Sequence, residues 1–449
     1  MPLAEDCIIL PPMEIKDPIH GAIEVNRGEI SILDSPEFQR LRLIKQLGFS
    51  EFSFPGAVHN RYIHSLGVSH LASLAFDSIF SDYKFTSDDV RKRFKQCMKL
   101  AALLHDIGHG PLSHTTEEVM PLLSELEIGV YDNRVSRGQA QLIQAEDRKA
   151  NHEDYTVKIV TDSNLSELIK KNFSDISPVH VACLIDKTLS CPDDFFKDGS
   201  LDFRTILSQI VSSEIDCDRM DYLARDSYFC GTNYGIIEFN WIIPNLSYHI
   251  VNDELHLALN RRALYTFDDF LLSRHHMYLM VYFHHKSIIY EEMLYRYLTS
   301  EDCTYKLPGD ISLYNRCTDY SLYEHMADSD NQWAKRITQR RPYKMVFEMH
   351  SNKENYRSTK MKQGLEDAGI HVITASSKVR LSKYHGGSPE DKAFQIYVVD
   401  QYDPLEKPIT IDQCTQIFQR YEETRNIERL YVDRDLYEKG REIIVKNRL

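Results

Sequence analysis

The sequence predicts a mainly α-helical protein with a smaller α/β lobe at its C-terminus. Two observations carry that prediction. Apolar residues recur at helical spacing through roughly the first 300 positions, and after about Tyr305 short β-prone runs begin to alternate with helical ones.

The elements follow in order. Over 35–48, Phe38, Leu41, Leu43, Ile44 and Leu47 lie near helical spacing; Ser35-Pro36 supplies an N-cap followed by a proline at the first helical position, and Gly48 a stop. A second helix over 91–107 carries Phe94, Cys97, Met98, Ala101 and Leu104 on one stripe, widened by Leu100 and Leu103, so it is expected to be buried on most sides. Gly108, Gly110 and Pro111 break it, leaving His105-Asp106 at its end, where a site can open. The polar stretch 130–151 has no apolar rhythm and reads as a solvated loop or a mobile lid. Helical spacing returns over 201–225 and 267–298. Beyond Tyr305, residues 343–350, 371–374 and 393–400 read as strands, 353–368 and 411–425 as helices, and Gly386-Gly387-Ser388-Pro389 as a turn. A chain of 449 residues exceeds one ordinary core, so a helical domain over 1–300 and a lobe over 301–449 are expected.

Composition narrows the function classes. Hydrophobic residues at 42% and charged residues at 27% exclude a disordered or fibrous chain. A net charge of -14 repels polyanions, so bulk nucleic-acid binding is disfavoured and any nucleotide site must concentrate positive charge inside a cleft. The nine cysteines are scattered and never spaced Cys-x-x-Cys, which fits a reducing cytosol without disulfides. With no basic leader over Met1 to Asp6 and no apolar run of membrane length, a soluble cytoplasmic protein is expected, with no membrane partner.

The densest chemical signal is His105-Asp106-Ile107-Gly108-His109-Gly110-Pro111-Leu112-Ser113-His114. One histidine alone is ordinarily a satisfied core residue; three with an aspartate at one helix end suit a metal that accepts imidazole and carboxylate together: iron, manganese, zinc, cobalt or nickel. Further ligands must come from elsewhere, and His59-Asn60-Arg61-Tyr62-Ile63-His64 and Glu214-Ile215-Asp216-Cys217-Asp218-Arg219 are the obvious suppliers. Such a metal lowers the pKa of water and offers charge to a phosphoryl oxygen. Arg61, three residues before His64, and Arg219, directly after Asp218, suit phosphate clamping. His152-Glu153 reads either as a proton-handling pair or as a solvated helix start, since Asn151 and Asp154 form a cap pattern.

Longer strings sharpen the reading. Asp17-Pro18-Ile19-His20-Gly21, Phe38-Gln39-Arg40-Leu41-Arg42 with Lys45-Gln46-Leu47-Gly48, Phe54-Pro55-Gly56, His64-Ser65-Leu66-Gly67, the His105 to Pro111 string and Asp218-Arg219-Met220-Asp221-Tyr222-Leu223-Ala224-Arg225-Asp226 together resemble the HD-domain deoxynucleoside triphosphate triphosphohydrolases over about residues 14–290, and more loosely beyond. The resemblance implies an HD-domain helical bundle with metal ligation by His64, His105, Asp106 and Asp218. It implies a catalytic pocket of His109, His114 and His152, with His114 protonating the leaving 5′-oxygen and Glu117 or Glu153 orienting a catalytic histidine. Arg61, Arg219, Tyr222 and Arg274 would hold the triphosphate. Gln46, Leu47, Asp226 and Tyr282 would surround the sugar, with Asp226 or Gln46 bonding its 3′-hydroxyl. The reaction implied is attack of metal-activated water on the α-phosphorus of a dNTP, with magnesium on the substrate phosphates, releasing deoxynucleoside and triphosphate. Tyr278 stands where the best-known members carry a nucleoside-pocket histidine, which leaves base preference open.

Asp34, Gln39 and Arg42 match residues that bind an activating guanine nucleotide at a subunit boundary in some members, implying a GTP or dNTP activator and a homo-oligomer, dimer or tetramer; ordinary pairing on a helix surface is the other reading. Met13 and Glu14 depart from the activated pattern. Two alternatives to the dNTPase stand: an HD phosphohydrolase acting on another nucleotide phosphate ester, and a nucleotide-sensing regulator with a structural metal site.

Overall fold

The computed structural model describes residues 13–134, 148–351, 356–379, 395–403, 406–415, 417 and 425–448. As expected, helices dominate and the strands outside the N-terminal hairpin gather toward the C-terminal half.

Local sequence sets the helices that build the site. The Asn60 side chain caps Arg61–Ile79, Ser87 caps Asp88–Leu104, Asn151 closes a capping box with Asp154 at the start of His152–Asp162, and Asp216 caps Cys217–Cys230. Arg61–Ile79 runs through the core and packs on both Asp88–Leu104 and Cys217–Cys230. Gly67 permits the second contact, because a Cβ there would collide with the Asp221 carboxylate and the Arg225 guanidinium. Before these helices, Met13–Asp17 and Gly21–Val25 form an antiparallel hairpin whose turn carries His20.

Several expected elements change. The helix over 35–48 is only Pro36–Gln39, continued by a 3-10 turn Arg40–Leu43; Ile44 is extended, and Gly48 opens a further 3-10 turn instead of ending a helix. Tertiary pairing overrides the spacing: Arg61 N donates to Ile44 O at 3.0 Å and Gln46 N to His59 O at 3.0 Å. The second helix ends at Leu104, with His105 as its C-cap. The stretch 201–225 splits into a short strand and the helices Arg204–Val211 and Cys217–Cys230, and 267–298 is interrupted by a π-turn at Tyr278–Tyr282. Residues 135–147 of the polar stretch, the Gly386 to Pro389 turn, Cys7 and most of the helix expected over 411–425 lie outside the described residues. Within that last span only Ile411–Cys414 is helical, and Arg425 begins a strand.

The expected boundary at 300/301 is not where the core divides. Leu322, Met326, Ala334 and Ile337 join the main core, and strand Tyr397–Val399 pairs in parallel with Glu254–Asn260 in a six-stranded sheet. A separate small core of Phe347, Met361, Leu365, Ile370, Val372, Leu430, Val432 and Ile444 belongs to a three-stranded antiparallel sheet, with Arg425–Val432 between Lys344–Ser351 and Val372–Val379, and to the helices Tyr356–Asp367 and Tyr437–Arg448. The described cysteines are all free, and no described helix is long and apolar enough to cross a membrane.

Candidate metal centre and active site

Four helix ends converge. His64 lies in the first turn of Arg61–Ile79, His105 and Asp106 follow the end of Asp88–Leu104, His152 opens His152–Asp162, and Asp218 lies in the first turn of Cys217–Cys230. Helix starts present unpaired N–H groups and a positive dipole end, so three of the four ends favour an anion here.

The four expected metal ligands come together. Donor atoms of His64, His105 and Asp106 lie within 4.8 Å of one another. Asp218 Oδ1 stands 3.1 Å from His64 Nε2 and 3.4 Å from His105 Nε2. Both Nε2 atoms are buried without a hydrogen-bond partner. The opposite nitrogens are engaged: His64 Nδ1 donates to Asp221 Oδ2 at 2.7 Å and His105 Nδ1 to Ala102 O at 2.8 Å, which turns each Nε2 toward the carboxylates. An imidazole oriented from behind in this way is the arrangement metal-binding histidines adopt, so the residues fit a transition-metal ion. Burial opposes charge on His64, yet Asp218 and Asp221 prevail and push its imidazole up to about 10, a measure of how strongly this carboxylate set attracts a cation.

A buried network behind the ligands, with no role assigned by sequence, holds them. Asp221 accepts from His64, from His20 Nε2 at 2.6 Å and from Arg225 Nε and Nη2 at 2.8 and 2.9 Å; Arg225 Nη1 reaches Asp17 Oδ2 at 2.8 Å. The Asp17 to Gly21 and Asp218 to Asp226 strings carried the signal, since charged residues spaced to one helix face and a Pro-Ile-His-Gly turn are costly to bury without a task.

His109, His114 and His152 form a second cluster. The His109 and His152 rings stack at 3.9 Å, and each lies 5.0 to 5.2 Å from His114. One oxygen of Glu117 accepts from His152 Nδ1 at 2.6 Å and His114 Nδ1 at 3.1 Å. Burial alone would raise Glu117, but these two histidines overcome it and hold its carboxyl down at about 2. Glu153 instead lies exposed on a cavity wall, so the orienting contact falls to Glu117. Burial, then Arg61 and His152, keep His109 neutral, and its Nε2 lies 3.3 Å from Asp106 Oδ1.

The residues expected around substrate form two linked groups. Arg61 pairs with Asp106 and donates to Ser113 Oγ; Arg219 and Arg274 approach one oxygen of Glu214 at 2.9 and 3.1 Å. Arg274 lies over the Tyr278 ring, which contacts Tyr282; Tyr282 in turn neighbours Tyr222 and donates to Asp226 Oδ2 at 2.8 Å. The other Asp226 oxygen is taken by His59, whose carbonyl receives Gln46 N, while Gln46 Oε1 is buried without a partner and Leu47 packs at the core edge. Glu214 and His59 each open a segment expected to supply further metal ligands, and neither was given a role of its own there. A cavity of about 510 Å³ reaches His105, Asp106, His152, Glu153 and Asp218, but its other walls are Arg134, Arg148, Asp186, Lys187 and their neighbours, not the expected substrate residues. Asp34, Gln39 and Arg42 gather around Tyr62: Arg42 Nε donates to Gln39 at 2.9 Å and its guanidinium lies 3.6 Å over the Tyr62 ring.

Residues 61–226, which begin at Arg61, end at Asp226 and contain all four expected ligands, match the HD domain, and residues 243–380 match the HD associated region. The chain is an HD-domain protein. It is similar to an uncharacterized protein of Mycoplasma pneumoniae, 33% identical over 61% of this chain and 56% of that one. It also resembles the deoxynucleoside triphosphate triphosphohydrolase SAMHD1 of Gallus gallus, 27% identical over 76% of this chain and 56% of that one. Thus this HD-domain protein spans little more than half the length of the curated relatives it matches. A crystal structure of a hypothetical protein from Aquifex aeolicus superposes with a TM-score of 0.71 at 26% identity, covering 96% of this chain and 100% of that one.

Proposed function

We propose that this HD-domain protein is a divalent-metal-dependent phosphohydrolase that cleaves dNTPs to deoxynucleoside and triphosphate. The observation that carries the reading is the pair of buried, unpartnered Nε2 atoms on His64 and His105 facing Asp106 and Asp218, with a histidine cluster alongside. A metal held by those four residues supplies charge to phosphoryl oxygens and acidifies water. The rest falls to the chain's own groups. Arg61, Arg219, Tyr222 and Arg274 bind the phosphates; because the arginines already lean on Asp106 and Glu214, phosphate oxygens exchange with those carboxylates, and magnesium on the substrate offsets the remaining charge. Glu117, held ionised, stabilises protonated His114 as it donates to the leaving 5′-oxygen, while neutral His109 and the ring of His152 stacked on it shape the pocket. Gln46, with its unpartnered oxygen, is better placed than the doubly engaged Asp226 to receive the 3′-hydroxyl, and Leu47, Tyr278 and Tyr282 pack around the sugar and base. Asp34, Gln39 and Arg42 around Tyr62 form the place for an activating GTP or dNTP at a contact between subunits of a dimer or tetramer.

Incubation with manganese and each dNTP, with and without GTP, yields deoxynucleoside plus triphosphate on this reading; monophosphate and pyrophosphate alone reject it. A second reading, hydrolysis of another nucleotide phosphate ester, is favoured by the 510 Å³ cavity, which meets the metal-facing residues from a side that none of the expected substrate residues lines. Turnover of monophosphates or cyclic nucleotides in the same assay, without dNTP turnover, selects it.

A further inference from the structure

Immediately before His114, Leu112 and Ser113 hold left-handed backbone, with φ of 52° and 61°. For residues with a Cβ this conformation is costly and persists only where the surroundings over-determine it. Arg61 Nη2 donates to Ser113 Oγ at 2.8 Å, and the Thr116 hydroxyl lies 3.0 Å from Ser113 O and 2.9 Å from Pro111 O. Leu112 is held from outside the 61–226 region: its N–H donates to Asp319 Oδ1 at 2.9 Å. The other oxygen, Asp319 Oδ2, accepts Lys45 N at 2.9 Å, directly before Gln46 and Leu47.

Asp319 is 1% exposed and Leu112 4%, so neither partner can turn to water. The carboxylate opens the helix Asp319–Asp328, yet it does not cap it; Thr318 does that, and both Asp319 oxygens go to segments more than 200 residues away. Other groups outside residues 61–226 reinforce the loop. Tyr314 Oη donates to Gly108 O at 2.7 Å, and Arg40, lying against Tyr314, donates to Ile107 O and His109 O at 2.8 Å.

We propose that Asp319 is a positioning residue that locks Leu112 in its left-handed conformation and ties it to Lys45, so that His114 and the Gln46-Leu47 segment keep one fixed relation to the metal centre. It rests on the proposed function only in the part concerning turnover.

Asp319→Asn keeps the shape but turns an NH2 group toward one of the two amides. In the full chain, hydrogen exchange of at least one of the peptides covering 43–48 and 108–116 then accelerates at least about tenfold, as loss of one buried acceptor implies, while peptides from Arg61–Ile79 keep their rates. Turnover of dNTP falls in kcat by about tenfold or more at unchanged metal content, and the loss shrinks below about threefold in a Leu112→Gly background, where left-handed backbone carries no penalty. Unchanged exchange at both segments, a uniform rise across the chain, or an equal kcat loss in both backgrounds overturns the proposal. Should Asp319→Asn fail to fold, Asp319→Glu, which keeps the charge and overshoots by one methylene, is read by the same exchange criteria. A wild-type chain without dNTP turnover refutes the proposed activity alone, because the exchange result still decides the clamp.

Discussion

At the residue scale, ligation and proton transfer separate cleanly. On the proposed assignment, Asp218→Ala removes a ligand and lowers both bound metal and turnover, whereas His114→Ala, whose side chain is largely exposed and bonded to Glu117, retains metal while losing about 100-fold in kcat. Metal analysis beside rate measurement checks both, and a metal-free His114→Ala overturns its assignment. Glu117→Gln removes the charge that two histidines share. Because that carboxyl is held near 2, it stays ionised across the working range, so its neutral replacement moves the alkaline limb of the kcat profile to lower pH. The depressed value also means stability present above the ordinary 4.5 and lost as pH falls toward 2; wild type and variant should differ in denaturation midpoint at pH 7 and converge in strong acid. At His64 proton and metal compete. With its imidazole pushed up to about 10, metal uptake at pH 7 to 8 releases a proton, and affinity rises with pH; calorimetry in buffers of different ionisation enthalpy reads it.

At the element scale, the site depends on how closely helices approach. Gly67→Ala inserts a methyl into the Asp221 carboxylate that orients His64, so it costs about 3 kcal/mol, the upper end for overpacking, and weakens metal binding in step. A lowered thermal midpoint with unaltered metal content would separate packing from ligation and contradict the coupling. Much at this scale was legible in sequence: the apolar stripe located the body of Asp88–Leu104, though both its start and its end were expected three residues later, and Asn151 with Asp154 marked the start of His152–Asp162. The segment 35–48 was not, because its backbone pairs with His59 and Arg61 and its Arg40 is spent on carbonyls of a distant loop. Helical periodicity reports propensity, and long-range hydrogen bonds overrode it there.

At the scale of the whole molecule, the HD domain and the region after it form one working unit. Tyr314 and Asp319 brace the His105 to His114 loop, and the helices over 319–338 fill the main core. A fragment ending at residue 300 should therefore expose apolar surface and aggregate or unfold non-cooperatively; a sharp thermal transition from a monodisperse 1–300 fragment would refute this. Removing metal with a chelator should lower the thermal midpoint of the full chain, and manganese, iron, zinc, cobalt or nickel should restore it, since an ion bound only by the folded state adds its binding free energy to stability.

Two kinds of information meet in this protein. The grouping of the candidate centre was legible in residue types and spacing: His64, His105, Asp106, Asp218 and the cluster of His109, His114 and His152 stood out because ligating and proton-carrying side chains are few and their clustering is improbable by chance. What tertiary structure alone decided was orientation. Which nitrogen of His64 and His105 faces the carboxylates, which of Glu117 and Glu153 supports the histidines, and how Asp319 holds a strained turn beside Lys45 all depend on contacts between segments up to 274 residues apart. No local pattern encodes such contacts, because they are fixed by packing of the whole chain and not by the preferences of neighbouring residues.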